Sequence, residues 1–351
     1  MIFAGDVAIA PGDRLDFIGF SDALRSVPWC INLEGAIARD NSVAPDWGVV
    51  NCANWRASLD VFQLGPIFLA NNHIHDIKNG VHESCAALTA TGLCFFGAGN
   101  DQSAASRPAF VSSKGEGYVL LGFGWPVIGC VPAGRNTPGV NRLEGRSVLD
   151  SVGEAVRLAE GRGRVVLVMH GNYEFERYPQ PAHRKLARQA IELGAYAVIF
   201  HHPHIVGPIE RYKGRTIAYS LGNWAFSYGK FFDGKLKVPA ASFRQVAIEL
   251  SEGGDLVHHA DSQPPATIRY IRTERVEAVD LSLRAEFEGL GDAEYVEWFK
   301  ANRLKKKGLP VYRDAEQSWS NSLRDQWVGL RQVLIDFAAK HGLKRMRREA
   351  I

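Results

Sequence analysis

The chain has 351 residues, 46% hydrophobic and 23% charged, with a formal net charge of +3. This mix excludes a disordered or fibrous chain and leaves room for one large domain plus an appendage. So small a net charge gives no electrostatic case for a nucleic-acid partner.

Short apolar runs then recur along the chain, each followed by polar residues. Ile2-Phe3-Ala4 leads into Gly5-Asp6, and Cys30-Ile31-Asn32-Leu33 into Glu34. Pro66 to Ala70 leads into Asn71-Asn72-His73. Tyr118 to Leu121 ends at Gly122, Val165 to Met169 at His170, and Ala197 to Phe200 at His201-His202. Thr216 to Ser220 ends at Leu221-Gly222-Asn223. Fully apolar runs of four or five residues predict strands buried on both faces. Helical patterns lie over residues 79–91 and 183–193, the second closing at Gly194. Strand–helix alternation predicts an α/β fold. Ligands of such sheets bind beyond the carboxyl ends of strands, where these polar residues fall.

After about Asp261 the character changes. Ser262 to Pro265 reads as a polar linker, dividing residues 1–262 from a helix-rich extension over 263–351. In that extension Leu323, Trp327, Leu330, Leu334 and Phe337 form an apolar stripe at helical spacing. We expect the stripe to pack against the main domain or a second subunit, which would make a homo-oligomer. Beyond it, Lys344, Arg345, Arg347 and Arg348 form a basic end, read as a solvated tail or as a contact for an acidic polymer or anionic lipid.

Cys30, Cys52, Cys85, Cys94 and Cys130 are scattered without a CxxC pair. They predict reduced thiols rather than a disulfide framework or a cysteine zinc site. The first residues lack the features of a leader, and no run approaches the roughly 20 apolar residues that span a bilayer. The expectation is a cytoplasmic chain with no transmembrane segment.

Among the polar residues, Asp6 is a hard oxygen donor, although a turn or N-cap would also explain it. Glu34 could bridge cations or sit in a solvated turn. Asn72 offers an amide oxygen, His73 a proton donor, and Asp76 a carboxylate to orient the imidazole. His170 and the His201-His202-Pro203-His204 cluster offer imidazole ligands, and His-x-His on an extended segment would set His202 and His204 on one side. Ser220 and Asn223 could hydrogen-bond a substrate or simply make a turn.

Taken in order, Gly5-Asp6, Asn32-Leu33-Glu34, Ala70-Asn71-Asn72-His73 with Asp76, Gly97-Ala98-Gly99, His170 with Glu174, His201 to His204 and Tyr219 to Asn223 form a combination. It resembles the bacterial poly-gamma-glutamate capsule synthesis (CapA, PGA_cap) family of the calcineurin-like metallophosphoesterase superfamily. The resemblance implies a four-layer α-β-β-α sandwich. It also implies one or two divalent metal ions (Mn²⁺, Fe or Zn²⁺) held by Asp6, Glu34, Asn72, His170, His202 and His204. His73 with Asp76 would act catalytically, and Glu174, Ser220 and Asn223 would bind substrate. The sequence departs from the pattern where Ala8 replaces a histidine of Asp-x-His, where Gly171-Asn172-Tyr173 replaces Trp-Gly-x, and where Phe200 replaces a glycine.

Three functions fit. The first is metal-dependent hydrolysis of a phosphate ester, linked to capsule or exopolysaccharide production. The second is hydrolysis or transfer at an amide of an anionic polymer such as poly-gamma-glutamate. The third is a non-catalytic binding or assembly role in making that polymer.

Overall fold

The apolar runs become strands because alternate side chains of each can be buried on opposite faces. A computed structural model describes residues 1–40, 48–159, 163–264, 266–304 and 308–341. Nine strands form the first sheet: β1 (Ile2–Ala8), β2 (Asp16–Ile18), β3 (Trp29–Leu33), β6 (Leu64–Phe68), β7 (Phe95–Phe96), β16 (Asn223–Phe226), β17 (Arg244–Glu249), β18 (Leu256–Gln263) and β19 (Thr267–Arg275). Their order is β2-β19-β18-β17-β1-β3-β6-β7, with β16 also on β1. The second sheet runs β14-β15-β13-β12-β10-β9, from β9 (Ala109–Ser113), β10 (Glu116–Gly124), β12 (Gly163–His170), β13 (Ala197–His201), β14 (Ile209–Tyr212) and β15 (Arg215–Ala218). Two small ribbons pair β4 (Ala36–Ile37) with β5 (Val50–Asn51), and β8 (Ala98–Gly99) with β11 (Gly139–Val140).

The second sheet divides its side chains between two cores. Leu120, Val166, Val168 and Ile199 join the first sheet's Ile2, Ile31, Ile67 and Phe68. Their neighbours Leu121, Val165, Leu167 and Val198 face the other way. There they meet helices α4 (Gly145–Ala159) and α5 (Pro181–Glu192) through Val148, Val152, Leu186 and Ala187. Short α1 (Asp22–Arg25) packs Leu24 on the first core, α3 (Gln102–Ala105) lies on the β8–β11 ribbon, and α2 (Gly80–Ala90) adds Val81, Cys85 and Leu88 to the first core. The result is the expected α-β-β-α sandwich. Helix α5 ends at the expected place, with Gly194 at φ +108°.

Several expectations are corrected. Ser262 pairs with Ile268 and Gln263 with Thr267, so these residues of the expected linker belong to the β18–β19 hairpin and the sheet continues to Arg275. The polar character of this hairpin near the sheet edge hid it: eight of the nine β19 residues are not buried. The extension then supplies α6 (Asp292–Asn302), whose Tyr295 and Phe299 complete the second core, and α7 (Trp319–Lys340). The stripe on α7 does not pack on the main domain; Val328 and Asn321 turn inward instead. The basic end from Lys344 to Arg348 lies outside the described residues. All five cysteines are unpaired, and Cys94 alone is exposed. Among the described residues, no helix is long and apolar enough to cross a membrane.

Candidate metal centre

Strand ends from both sheets converge on one buried polar cluster. Asp6 comes from within β1 rather than past its end, at a register irregularity against both β3 and β16. Such a bulge re-aims a side chain. The chain can pass here only because residue 5 is glycine: a Cβ on Gly5 would lie 2.0 Å from the Gly222 carbonyl oxygen. Glu34 follows β3, Asn72 and His73 follow β6, His170 ends β12, and His202 and His204 follow β13.

Asp6 is fixed on both oxygens. Asn32 Nδ2 donates to Oδ1 at 2.8 Å, His201 Nδ1 lies 3.0 Å from Oδ1, and His204 Nδ1 lies 3.3 Å from Oδ2. Burial pushes its pKa up, but the hydrogen bonds from His201 and His204 outweigh this and hold it well below the usual carboxylate value.

Glu34 is the opposite case. It is fully buried, and neither carboxylate oxygen has a hydrogen-bond partner. Burial raises its pKa to about 7, with His204 pulling it down and Asp6 pushing it up. Around Oε1 stand His204 Nε2 at 3.5 Å, His73 Nε2 at 3.9 Å and His170 Nε2 at 4.0 Å. Buried carboxylates without partners are costly, so this one marks a place for a cation. Glu34, His202 and His204 each offer a ligand atom, all within 4.8 Å of one another. His170 Nε2 is 2.8 Å from Asn72 Oδ1, placing both beside this group. His202 Nδ1 is also buried without a partner. This mixed oxygen and imidazole set fits a divalent transition metal.

The imidazoles divide by environment. Burial lowers His170 and His202 well below the usual value, keeping them neutral as ligands must be. His204 is raised to about 10 despite its burial, by Glu34 and Asp6. Its Nδ1 is 2.8 Å from Asn223 Oδ1, which leaves Nε2 toward Glu34. His73 rises to about 9 against its burial, chiefly through Asp76, whose Oδ2 sits 2.7 Å from Nδ1.

The rings of His202 and His204 do not come from an extended segment as expected. They lie in a bend, with φ of 99° and 57°. Asn172 and Phe175 in the facing loop are also left-handed, at 86° and 59°. Such conformations cost about 1–3 kcal/mol each and persist where the surrounding structure enforces them.

Of the expected substrate residues, Glu174 is exposed and bears electrostatically on Glu34, His73 and His204. Ser220 is buried and accepts the Gly222 N–H at 3.3 Å. Asn223 engages His204 from behind. Sequence reasoning missed the orienting role of Asn32, which lies against both Asp6 and His170. It also missed Asn71, whose side chain ties Gly35 N and Leu33 O to the His73 turn. Both stand inside the quoted motifs, but a buried hydrogen-bond role leaves no spacing signal.

Residues 24–228 match the family described as bacterial capsule synthesis protein PGA_cap. The chain is 33% identical over 162 residues to the PGA biosynthesis protein CapA of Bacillus subtilis, covering 46% of this chain and 42% of that one. It is 28% identical over 163 residues to the capsule biosynthesis protein CapA of Bacillus anthracis, covering 46% and 40%. The match thus spans less than half the length of these relatives. Among solved structures, the NAD nucleotidase of Haemophilus influenzae aligns over 87% of this chain and 52% of its own, at 11% identity and a TM-score of 0.36. With the family match covering more than half of its length, the chain belongs to the bacterial capsule synthesis protein PGA_cap family.

Proposed function

We propose that this protein is a metal-dependent hydrolase of phosphate esters serving capsule or poly-glutamate production. One observation carries the reading: Glu34 is buried with both oxygens unpartnered, facing three imidazoles. A divalent cation bound there would polarise a phosphoryl oxygen and bring the pKa of water from about 15.7 toward 7. Glu34, His202 and His204 would hold it, His204 giving up its Nε2 proton on binding, with Asn72 and His170 completing the set. Asp6 is engaged by Asn32, His201 and His204, and Ala8 offers no donor, which favours one tightly held ion over two.

His73 is the proton donor in this reading. Asp76 holds Nδ1 and accepts the Val49 N–H, so the ring is fixed with Nε2 toward Glu34. A proton at Nε2 can then pass to the leaving oxygen. Glu174 at the rim contacts substrate, while Ser220 and Asn223 shape the wall. We place the helical extension after Arg275 and the protein in the cytoplasm, where five unpaired cysteines would stay reduced.

A second reading, binding or assembly without turnover, is favoured by Ala8 alone. The same cation acting on a polymer amide is a variant of the first. Elemental analysis of untagged protein decides, run beside turnover of a phosphodiester, a monoester and a glutamyl polymer with added Mn²⁺. Stoichiometric metal and phosphoester turnover, both lost in His202→Ala and Asn72→Ala, are expected. Turnover of the glutamyl polymer alone would move the reaction to the amide. A folded protein with little metal and no turnover would leave the assembly role.

A further inference from the structure

Helix α7 turns its larger apolar face outward. Trp319, Leu323, Trp327, Leu330, Leu334 and Phe337 are between 47% and 79% exposed. The inward face is tied down mostly by polar contacts: Asn321 Nδ2 donates to the Glu316 carbonyl, and Tyr312 Oη donates to Asp325. Among the described side chains of α7, Val328 alone is a fully inserted apolar residue. A soluble monomer rarely displays so continuous a patch.

The spacing of the patch says what covers it. From Leu323 the steps to Trp327, Leu330, Leu334 and Phe337 are four, three, four and three residues. This is the 3.5-residue repeat of a seam that meets another helix along its length. Side chains of these sizes expose on the order of 800 Å² together, the share one partner gives to a standard specific interface. A helix lying in an anionic bilayer surface carries an excess of Lys and Arg on its polar face. Within α7, Arg324, Arg331 and Lys340 stand against Asp325 and Asp336, an excess of one cation over the whole helix.

We propose that α7 pairs with the α7 of a second copy of this chain, forming a homodimer through the Leu323–Phe337 seam. The same helix rests on the turn Pro126–Ile128. Trp125, just before that turn, donates its N–H to the His170 carbonyl. Pairing therefore braces one wall of the metal centre.

Sedimentation equilibrium of the full chain across the micromolar range tests this, with Leu330→Glu/Leu334→Glu as the variant. The wild type should sediment at twice 38.7 kDa and the variant at 38.7 kDa, with its circular dichroism unchanged. If the double variant misfolds, Leu330→Ala/Phe337→Ala should raise the dimer dissociation constant by about 100-fold. A monomeric wild type overturns the proposal. So does a dimer that neither variant weakens, which would place the interface elsewhere. Cosedimentation with phosphatidylserine vesicles, by a monomer whose binding is lost in the variant, would assign the face to a bilayer instead.

Discussion

Replacing Glu34 by Gln should reverse its effect on stability when a cation is added. In the folded chain without metal, burial holds the Glu34 pKa near 7, against 4.5 for the free group. Ionised at pH 8, it therefore costs about 3 kcal/mol of folding free energy. The amide removes that charge but leaves unmet hydrogen bonds worth about 1–2 kcal/mol. Metal-free Glu34→Gln should thus be more stable by about 1–2 kcal/mol. A chain of this length has an unfolding entropy near 0.7 kcal/mol/K, so the melting temperature should rise by about 2 °C. Because the folded pKa is raised, the cost is present above about pH 7 and absent below pH 4.5. The advantage of the variant must fade over the same window. Mn²⁺ at about 100 times its Kd should then stabilise the wild type by about 2.7 kcal/mol, near 4 °C, and leave the variant unmoved. Thermal unfolding by circular dichroism with chelator or Mn²⁺ reads both effects. An equal Mn²⁺ shift in both proteins, or a metal-free variant well below the wild type, would refute Glu34 as the buried charge that awaits a cation.

Three further outcomes are expected. Gly5→Ala would force a Cβ to 2.0 Å from a backbone oxygen that no rotamer can move, so it should cost about 3 kcal/mol or more in denaturant unfolding; near-neutral behaviour would contradict the close approach of β1 to Gly222. His73→Ala should lower kcat on a phosphoester by about 100-fold or more with metal content unchanged, and Asp76→Asn should lower it less; unaltered turnover would remove His73 from the reaction. His183 is fully buried, neither ring nitrogen has a partner, and burial holds its pKa near 3. Its folded pKa lies below the unfolded value of 6.5, so the unfolded chain binds the extra proton and the wild type loses stability as pH falls below 6.5. His183→Leu should escape this, gaining about 2 kcal/mol relative to wild type between pH 7 and pH 5; parallel pH profiles would contradict it.

The sequence by itself determined the donors and their order. Apolar runs ending in Glu34, Asn72, His170 and His202 mark strand ends because a polar side chain inside a strand buried on both faces needs a partner there, as Asp6 and Asn32 find in each other. Chemistry must therefore gather where the strands stop. Helix α5 was also legible, since a stripe ending at glycine is a local signal. What only the tertiary structure decided is how the donors are divided. Asp6 and Glu34 look alike in sequence, yet the Asp6 carboxylate is satisfied by Asn32, His201 and His204 while neither carboxylate oxygen of Glu34 has a hydrogen-bond partner. That difference comes from partners up to 198 residues distant, which no local pattern encodes. The same holds for α7. Its stripe was plain in the sequence, but whether a stripe faces inward depends on what else fills the core. Here Tyr295, Phe299 and Tyr312 had already filled it.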